Sequence, residues 1–187
     1  MKYLLVACCI MFSTVAFAQT NIPSLDKSPV DIAYFPVNFP LLKIQDKATE
    51  PLVARVIYSR PQKNGRTIFG ELLEYGNLWR LGANEATEIE FYQNVTIKNV
   101  KIKKGRYTLY SIPSEEKWTI VLNKETDTWG SFKYDEKKDM VRTDVPVQAV
   151  AQLSEAFFIF FEKINSSSFN LVAGWDNVKV SLPISQN

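Results

Sequence analysis

From Leu52 to Ile184 the sequence is built of short runs that are rich in β-branched and aromatic residues and mostly alternate apolar with polar side chains. Such runs predict β-strands, because alternation places every second side chain on one face of a sheet. Turn residues separate the runs, and Lys104-Gly105 is predicted to close a hairpin. The predicted strands are 52–58, 87–93, 95–102, 106–112, 117–123, 156–164, 169–175 and 177–184. We therefore expect an all-β fold with little helix, an antiparallel two-sheet sandwich for which a jelly roll is one arrangement.

Two regions give a weaker pattern. Residues 146–155 fit a helix, because Val147, Val150 and Ala151 have helical spacing, but they fit a strand followed by a bend equally well. Residues 19–50 are rich in proline, which predicts an extended lead-in with an edge strand near 31–35. The remainder, 51–187, is predicted to form one sandwich domain.

The first 18 residues have the form of a secretory signal peptide. Lys2 precedes an apolar run over 3–12, and Ala16-Phe17-Ala18 supplies the small residues of a cleavage site. This pattern predicts a secreted or periplasmic protein. The alternative is a lipoprotein processed at Cys8, which is disfavoured because the apolar segment before Cys8 is too short. A retained membrane span is also disfavoured, since a span needs about 20 apolar residues.

The chain contains no histidine, and its two cysteines, Cys8 and Cys9, both lie in the predicted signal peptide. The mature chain therefore lacks thiols and imidazoles, which excludes disulfides, Cys or His zinc sites and nucleophilic triads with a histidine base. The full sequence has 22 basic and 20 acidic residues, which nearly balance, so no basic field favours nucleic acid. We expect no cofactor, no nucleic-acid partner and no metal site.

The four tryptophans divide into two groups. Trp79, Trp118 and Trp175 lie in or beside predicted strands, which favours a place in the core. Trp129 lies in the turn-rich stretch 126–130, where an exposed and a buried ring are equally compatible with the sequence.

The stretch 77–91 places a carboxylate, Glu85, among its apolar positions. Gly82 is predicted to break or bulge the strand, and the alternation beyond it, with Ile89 and Phe91 in the core, points Glu85 inward. A buried carboxylate needs a cation, because burial without a partner costs several kcal/mol. The candidate partners are Arg60, Arg66, Arg80 and Arg142.

Two interpretations of Glu85 follow. In the first, Glu85 pairs with an arginine such as Arg60 or Arg66 and pins a loop to the end of the sheet. In the second, a polar pocket for a small polar or carbohydrate-like ligand is lined by Arg80, Asn84, Glu85 and Arg142, with Trp129 as a stacking platform.

Several segments resemble a bacterial protein family. They are YSRP (58–61), GRTIFG (65–70), YGNLWRLGANEATEIEF (75–91), KKGRYTLYSIP (103–113), KWTIVLN (117–123), WGSFKYDEKKDMVR (129–142) and LVAGWDNVKVSLPI (171–184). Together they resemble the family called domain of unknown function 2911, and WR-x-GANEAT is the most specific string. The resemblance implies a secreted or periplasmic β-rich protein, and it implies no activity, ligand or catalytic residue.

Three classes of function fit these observations. The first is a ligand-binding module of the cell envelope, since sandwiches commonly present sites on their loops. The second is a glycan hydrolase that uses Glu85 with Asp139 or Glu116, which requires two carboxyl groups about 5 to 10 Å apart. The third is a structural or protein-interaction domain, which an exposed apolar patch would favour. No catalytic residue is assigned by the sequence.

Overall fold

The computed structural model describes residues 22–186, and the predicted signal peptide lies outside the described residues. In chain order, the strands are β1 (Val30–Phe35), β2 (Ala54–Ser59), β3 (Glu88–Phe91), β4 (Val95–Ile97), β5 (Val100–Ile102), β6 (Gly105–Pro113), β7 (Lys117–Asn123), β8 (Asp139–Pro146), β9 (Gln148–Lys163) and β10 (Ser168–Gln186). One sheet has the order β1-β2-β3-β6-β7-β8 and the other has the order β5-β4-β10-β9. All their pairings are antiparallel, so the predicted all-β sandwich is confirmed.

The core lies between the two sheets and is rich in aromatic rings. Trp79, Trp118 and Trp175 are 5%, 1% and 1% exposed, which confirms the prediction that these three tryptophans belong to the core. Trp79 contacts the other two and Phe157, with ring centroids 5.0 to 6.3 Å apart. Edge-to-face and offset contacts of this kind add to the stability that burial of the rings provides.

The region that allowed either a helix or a strand is a strand. β8 ends at Pro146, and β9 begins at Gln148 and continues to Lys163, so the helix alternative is wrong. Pairing with β10, from Gln148 opposite Lys179 to Lys163 opposite Phe169, gives the backbone of this segment its hydrogen-bond partners.

The proline-rich lead-in contributes an edge strand and a short helix. β1 pairs only with β2 in its sheet, which confirms the edge strand predicted near 31–35. Helix α1 (Phe39–Ile44) was not predicted; it has proline in its first turn and buries none of its residues. A single turn without a buried face leaves no periodic signal in the sequence. None of the described helices is long and apolar enough to cross a membrane.

The predicted hairpin at Lys104-Gly105 is wrong. β5 lies in one sheet and β6 in the other, so this dipeptide carries the chain between the sheets. The hairpin in this region joins β4 to β5 through Lys98 and Asn99, whose φ angles are 47° and 64°. Two positive φ angles are typical of the tight turns that match the twist of antiparallel strands.

Candidate functional site

A long loop, residues 60–87, joins β2 to β3. It contains no helix or extended strand and touches the sandwich through isolated bridges, Gln62 to Ala156, Trp79 to Ser111 and Glu85 to Trp129. Irregular loops longer than about 12 to 15 residues are uncommon in compact domains and are usually functional. This loop, residues 60–87, is therefore the candidate site, and we name it the site loop.

Residues 80–86 lie between Trp79 and Thr87, and hydrogen bonds hold this segment at both ends. Trp79 and Ser111 exchange two backbone hydrogen bonds of 2.7 and 2.9 Å. The indole Nε1 of Trp79 donates to the carbonyl of Gly82 at 3.0 Å, and the hydroxyl of Thr87 donates to the carbonyl of Leu81 at 2.5 Å. Buried donors on either side thus fix the path of the segment between them.

Two residues of this segment have left-handed backbone angles. Leu81 has φ 54° and is fully buried, whereas Asn84 has φ 60°. Asparagine adopts this conformation readily, but for leucine it costs about 1 to 2 kcal/mol. A non-glycine residue held in this region commonly marks a site where the surrounding structure imposes the backbone geometry.

The predicted inward orientation of Glu85 is wrong. The left-handed turn at Asn84 interrupts the alternation, so Glu85 faces outward while Ala86 is buried. Glu85 is exposed, and within residues 22–186 its carboxylate makes no ion pair. Glu85 is therefore not a buried carboxylate and does not require an arginine partner.

Three of the four candidate arginine partners have other contacts. Arg60 pairs with Asp31 at 3.0 Å, and Arg142 pairs with Asp139 at 2.7 Å. Arg66 donates to two backbone carbonyls of its own loop, one of them the oxygen of Lys63 at 2.9 Å. The predicted structural pairing of Glu85 with Arg60 or Arg66 is not formed.

Arg80, the fourth candidate, has no partner among the described residues. Its side chain is half-buried, and its guanidinium makes no hydrogen bond or ion pair, although Nε is completely buried. Burial lowers the pKa of Arg80 from its ordinary value, because the surroundings disfavour the charged form. A buried donor without an acceptor costs about 1 to 3 kcal/mol, so the arrangement calls for a physical explanation.

Arg80 lies between two cavities, which together we name the Arg80 groove. The inner cavity, of about 310 Å³, is lined by Arg80, Arg66, Asn84, Ser28, Trp79 and Trp175 among others. The outer cavity, of about 360 Å³, is lined by Arg80, Trp79, Leu78, Glu74, Asn77 and Ser131 among others. The groove therefore combines polar groups with indole and aliphatic walls.

Two acidic residues that adjoin Trp175, Asp176 in the chain and Glu155 through its carbonyl, are already engaged. Asp176 pairs with Lys63 at 2.5 Å, and Glu155 accepts from the backbone N–H of Asn64 at 2.6 Å. The described residues that line the inner cavity include Arg66 and Arg80 but no carboxylate. The cavity is therefore electropositive although the whole protein is nearly neutral.

A loop that carries two exposed aromatic rings contacts the groove. The loop 129–132 touches the site loop, because Gly130 donates to the carbonyl of Asn84 and Ser131 lines the outer cavity. In this short loop Trp129 is 63% exposed and Phe132 is 84% exposed. The sequence left both states of Trp129 open, and the structure shows the exposed one.

A separate cavity of about 270 Å³ lies beside Glu85. Its lining includes Tyr58, Ile57, Glu85, Glu88, Asp127 and Thr128. Glu88 and Asp127 both pair with Arg106, each at 2.6 Å, so their charges are compensated. We name this space the Glu85 cavity.

The structure divides the predicted pocket residues among three places. Arg80 and Asn84 share the Arg80 groove, and Glu85 and Trp129 pair through their backbones beside the Glu85 cavity. Arg142 lies elsewhere, in a network with Asp139 and Tyr134. Their role in binding a ligand stays a prediction.

Comparison with known families agrees with the sequence motifs. A family model with the description "Protein of unknown function (DUF2911)" matches residues 42–184. The chain belongs to this family. The match includes the whole site loop and with it the string WR-x-GANEAT, in which Arg80 and Asn84 stand. Neither a curated protein nor a solved structure matched this DUF2911 chain.

The two acidic residues that a glycan hydrolase would use beside Glu85 in this DUF2911 protein have surroundings of their own. Asp139 accepts hydrogen bonds from Asn123, Tyr134 and Arg142 at 2.5 to 2.7 Å and so belongs to a closed network. Glu116 lies immediately before β7, whereas Glu85 pairs with Trp129. Neither Asp139 nor Glu116 lines the Glu85 cavity.

Sequence reasoning missed several residues of the Arg80 groove. Ser28, Asn77 and Ser131 come from separate segments. Asn77 and Ser131 stand in segments that resemble the family, but no role followed from that resemblance, and Ser28 stands outside those segments. The length of the loop 60–87 was the signal that could have found the site, because a long irregular connection inside a sandwich seldom lacks a function.

Tyr58, which lines the Glu85 cavity, gives a prediction for alkaline pH. Its hydroxyl donates to the carbonyl of Ile159 at 3.0 Å, and burial raises its pKa from 10.0 to about 12. The folded protein holds this proton more tightly than the unfolded chain, so the associated stability is intact below pH 10 and is lost as the pH rises towards 12. Between about pH 9 and pH 11.5, the wild type should lose roughly 2 kcal/mol more stability than Tyr58→Phe does.

Urea unfolding of both proteins at the two pH values measures this difference. The comparison with Tyr58→Phe removes the contributions of lysines and of other tyrosines, which the two proteins share. Equal losses of stability in both proteins would show that Tyr58 ionises as freely in the folded state as in the unfolded chain.

Proposed function

We propose that this DUF2911 protein is a ligand-binding protein, secreted or periplasmic, that takes a small polar, carbohydrate-like ligand in the Arg80 groove. The observation that carries the proposal is the half-buried guanidinium of Arg80, which borders two cavities and has no partner among residues 22–186. Each cavity has the volume of about 300 Å³ or more that is typical of small-molecule sites.

The mixed lining of the groove supports a carbohydrate-like ligand. Trp79 and Trp175 use their indole N–H groups on the carbonyls of Gly82 and Glu155, so only ring carbon faces the inner cavity from these two side chains. A sugar presents apolar C–H faces and a rim of hydroxyls, and it matches walls that combine ring carbon with hydrogen-bonding groups. Trp129, in the loop that contacts Asn84, offers a further exposed ring for stacking.

The groove favours binding over catalysis. General acid–base catalysis needs a group that exchanges a proton near neutral pH, and arginine stays protonated there. Among the described residues, the inner cavity is lined by no carboxylate, lysine or tyrosine. The outer cavity has one carboxylate, that of Glu74, which accepts a hydrogen bond from Asn77. The chain also lacks histidine altogether.

A thermal-shift screen of the purified protein tests the proposal. The panel contains neutral and acidic monosaccharides, disaccharides and peptidoglycan fragments, each at about ten times a millimolar Kd. Such a ligand should stabilise the fold by about 1.4 kcal/mol and raise Tm by roughly 3 to 5 °C. Arg80→Met should abolish the shift because it removes the charge from the groove, whereas Arg142→Met, which removes the same charge outside the groove, should leave the shift unchanged.

Two results would contradict the proposal. One is a screen in which no member of the panel raises Tm in the wild type. The other is a shift that Arg80→Met and Arg142→Met reduce to the same extent, which would place the binding site outside the Arg80 groove.

A further inference from the structure

We infer that the ligand of the Arg80 groove is an acidic sugar, whose carboxylate binds to the guanidinium of Arg80 and whose hydroxyls occupy the outer cavity. The inference rests on the proposed function and specifies the class of ligand. It follows from the charges of the inner cavity, from the geometry of a free guanidinium and from the polar groups beyond it.

The charges of the inner cavity require an anion. Arg66 and Arg80 both line this cavity, and no ion pair compensates either of them within the described part of the chain. Lys63, by contrast, is compensated by Asp176. A neutral ligand would leave the half-buried charge of Arg80 without a counter-ion, and it would also displace the water that now hydrates the exposed part of the guanidinium.

A carboxylate fits the single free guanidinium of Arg80. The planar guanidinium presents parallel N–H groups that match the two oxygens of a carboxylate, and such paired bonds are among the strongest in proteins. Arg66 is held by backbone carbonyls of its own loop and adds a second positive charge without being free to turn fully towards the ligand. Arg80 is therefore the one free guanidinium of the inner cavity, and it offers a paired contact to a single carboxylate.

The outer cavity distinguishes a sugar acid from a simple carboxylic acid. Beyond Arg80 it offers the carboxylate of Glu74, the amide of Asn77 and the hydroxyl of Ser131. Glu74 and Asn77 are hydrogen-bonded to each other at 2.7 Å, which orients both groups. Sugar hydroxyls donate and accept at once, so they can bond to a carboxylate, an amide and a hydroxyl in the same small space.

Isothermal titration of the purified protein with matched ligands tests this inference. Glucose is compared with glucuronate, galactose with galacturonate, and N-acetylglucosamine with N-acetylmuramic acid, and acetate serves as an acid without a sugar. In at least one pair the acidic member should bind at least 10-fold more tightly than the neutral member and than acetate. Binding should weaken by roughly 10- to 100-fold in Arg80→Met. Arg80→Lys keeps the positive charge but cannot donate two parallel hydrogen bonds to a carboxylate. It should therefore recover only part of this loss.

The possible outcomes separate the inference from the proposed function. Neutral and acidic sugars that bind equally well, with both affinities dependent on Arg80, would overturn the acidic class and leave the proposed binding function intact. Acetate that binds as tightly as the acidic sugars would overturn the saccharide part of the inference. If no sugar and no acid bind, the inference and the proposed function both fall.

Discussion

Trp79→Ala should lower the free energy of unfolding by about 4 kcal/mol, the largest loss that we expect from a single truncation at the site. Trp79 is 5% exposed and packs against Trp118, Trp175 and Phe157 at the centre of the core. Removing the indole opens a cavity between the sheets, and it also leaves the carbonyl of Gly82 without its donor.

Trp79→Phe separates these two effects. Phenylalanine retains most of the ring packing but cannot donate to Gly82, so we expect a smaller loss, of about 1 to 2 kcal/mol, and faster amide hydrogen exchange in residues 80–86. Urea denaturation measures both variants. A loss below about 1 kcal/mol for Trp79→Ala would contradict the central place of this residue in the core.

Gly174→Ala should destabilise the protein by about 3 kcal/mol, because the position has no room for a side chain. A Cβ atom at Gly174 would lie 2.5 Å from the ring of Phe158, 2.8 Å from the carbonyl oxygen of Val178 and 3.0 Å from Cβ of Lys179. The phenyl ring could turn away, but the other two atoms belong to the backbone or are fixed to it. Relief therefore requires a shift in β10 itself, at the irregular register between Gly174 and Val178.

Gly65→Ala provides the control for a steric origin. Gly65 has open space around the position of a new Cβ, and its φ of 73° costs alanine only about 1 kcal/mol. Thermal or urea unfolding of both variants measures the comparison. If Gly174→Ala is no more destabilising than Gly65→Ala, the close approach of Phe158 and Val178 is not what excludes a side chain.

The strands could be predicted because their signal is local. In β6, β7 and β10 alternating apolar residues fall on the core face, and neighbouring residues alone determine this pattern. The segment 146–155 could not be assigned in the same way. Its helical spacing is overridden by pairing with β10, a contact between distant parts of the chain.

The orientation of Glu85 failed for a similar reason. Burial alternates from Trp79 to Leu81 and again from Thr87, but between these stretches Gly82 and Ala83 are both buried and Asn84 adopts a left-handed conformation. The bonds that hold this turn come from Gly130 to Asn84 and from Thr87 to Leu81, and the first of them joins distant segments. Periodicity cannot foresee a turn that long-range contacts stabilise.

Arg80 and Asn84 were selected from the sequence, but the reason for selecting them differed from the reason that the structure gives. They were chosen as neighbours of an inward-facing Glu85, whereas in the structure they share a groove that Glu85 does not line. The unpaired state of Arg80 could not be predicted, because it depends on long-range packing that leaves no carboxylate in the lining of the inner cavity.

The central claim is that Arg80 is unpaired in the free protein and is kept for a ligand. The stability of ligand-free Arg80→Met, measured by urea denaturation beside the wild type, tests this claim most directly. Methionine fills similar space without a charge or a buried N–H donor, so the variant should be as stable as the wild type or more stable by about 1 kcal/mol. A loss of about 2 kcal/mol or more would show that Arg80 holds the loop in place, and that result would contradict the claim.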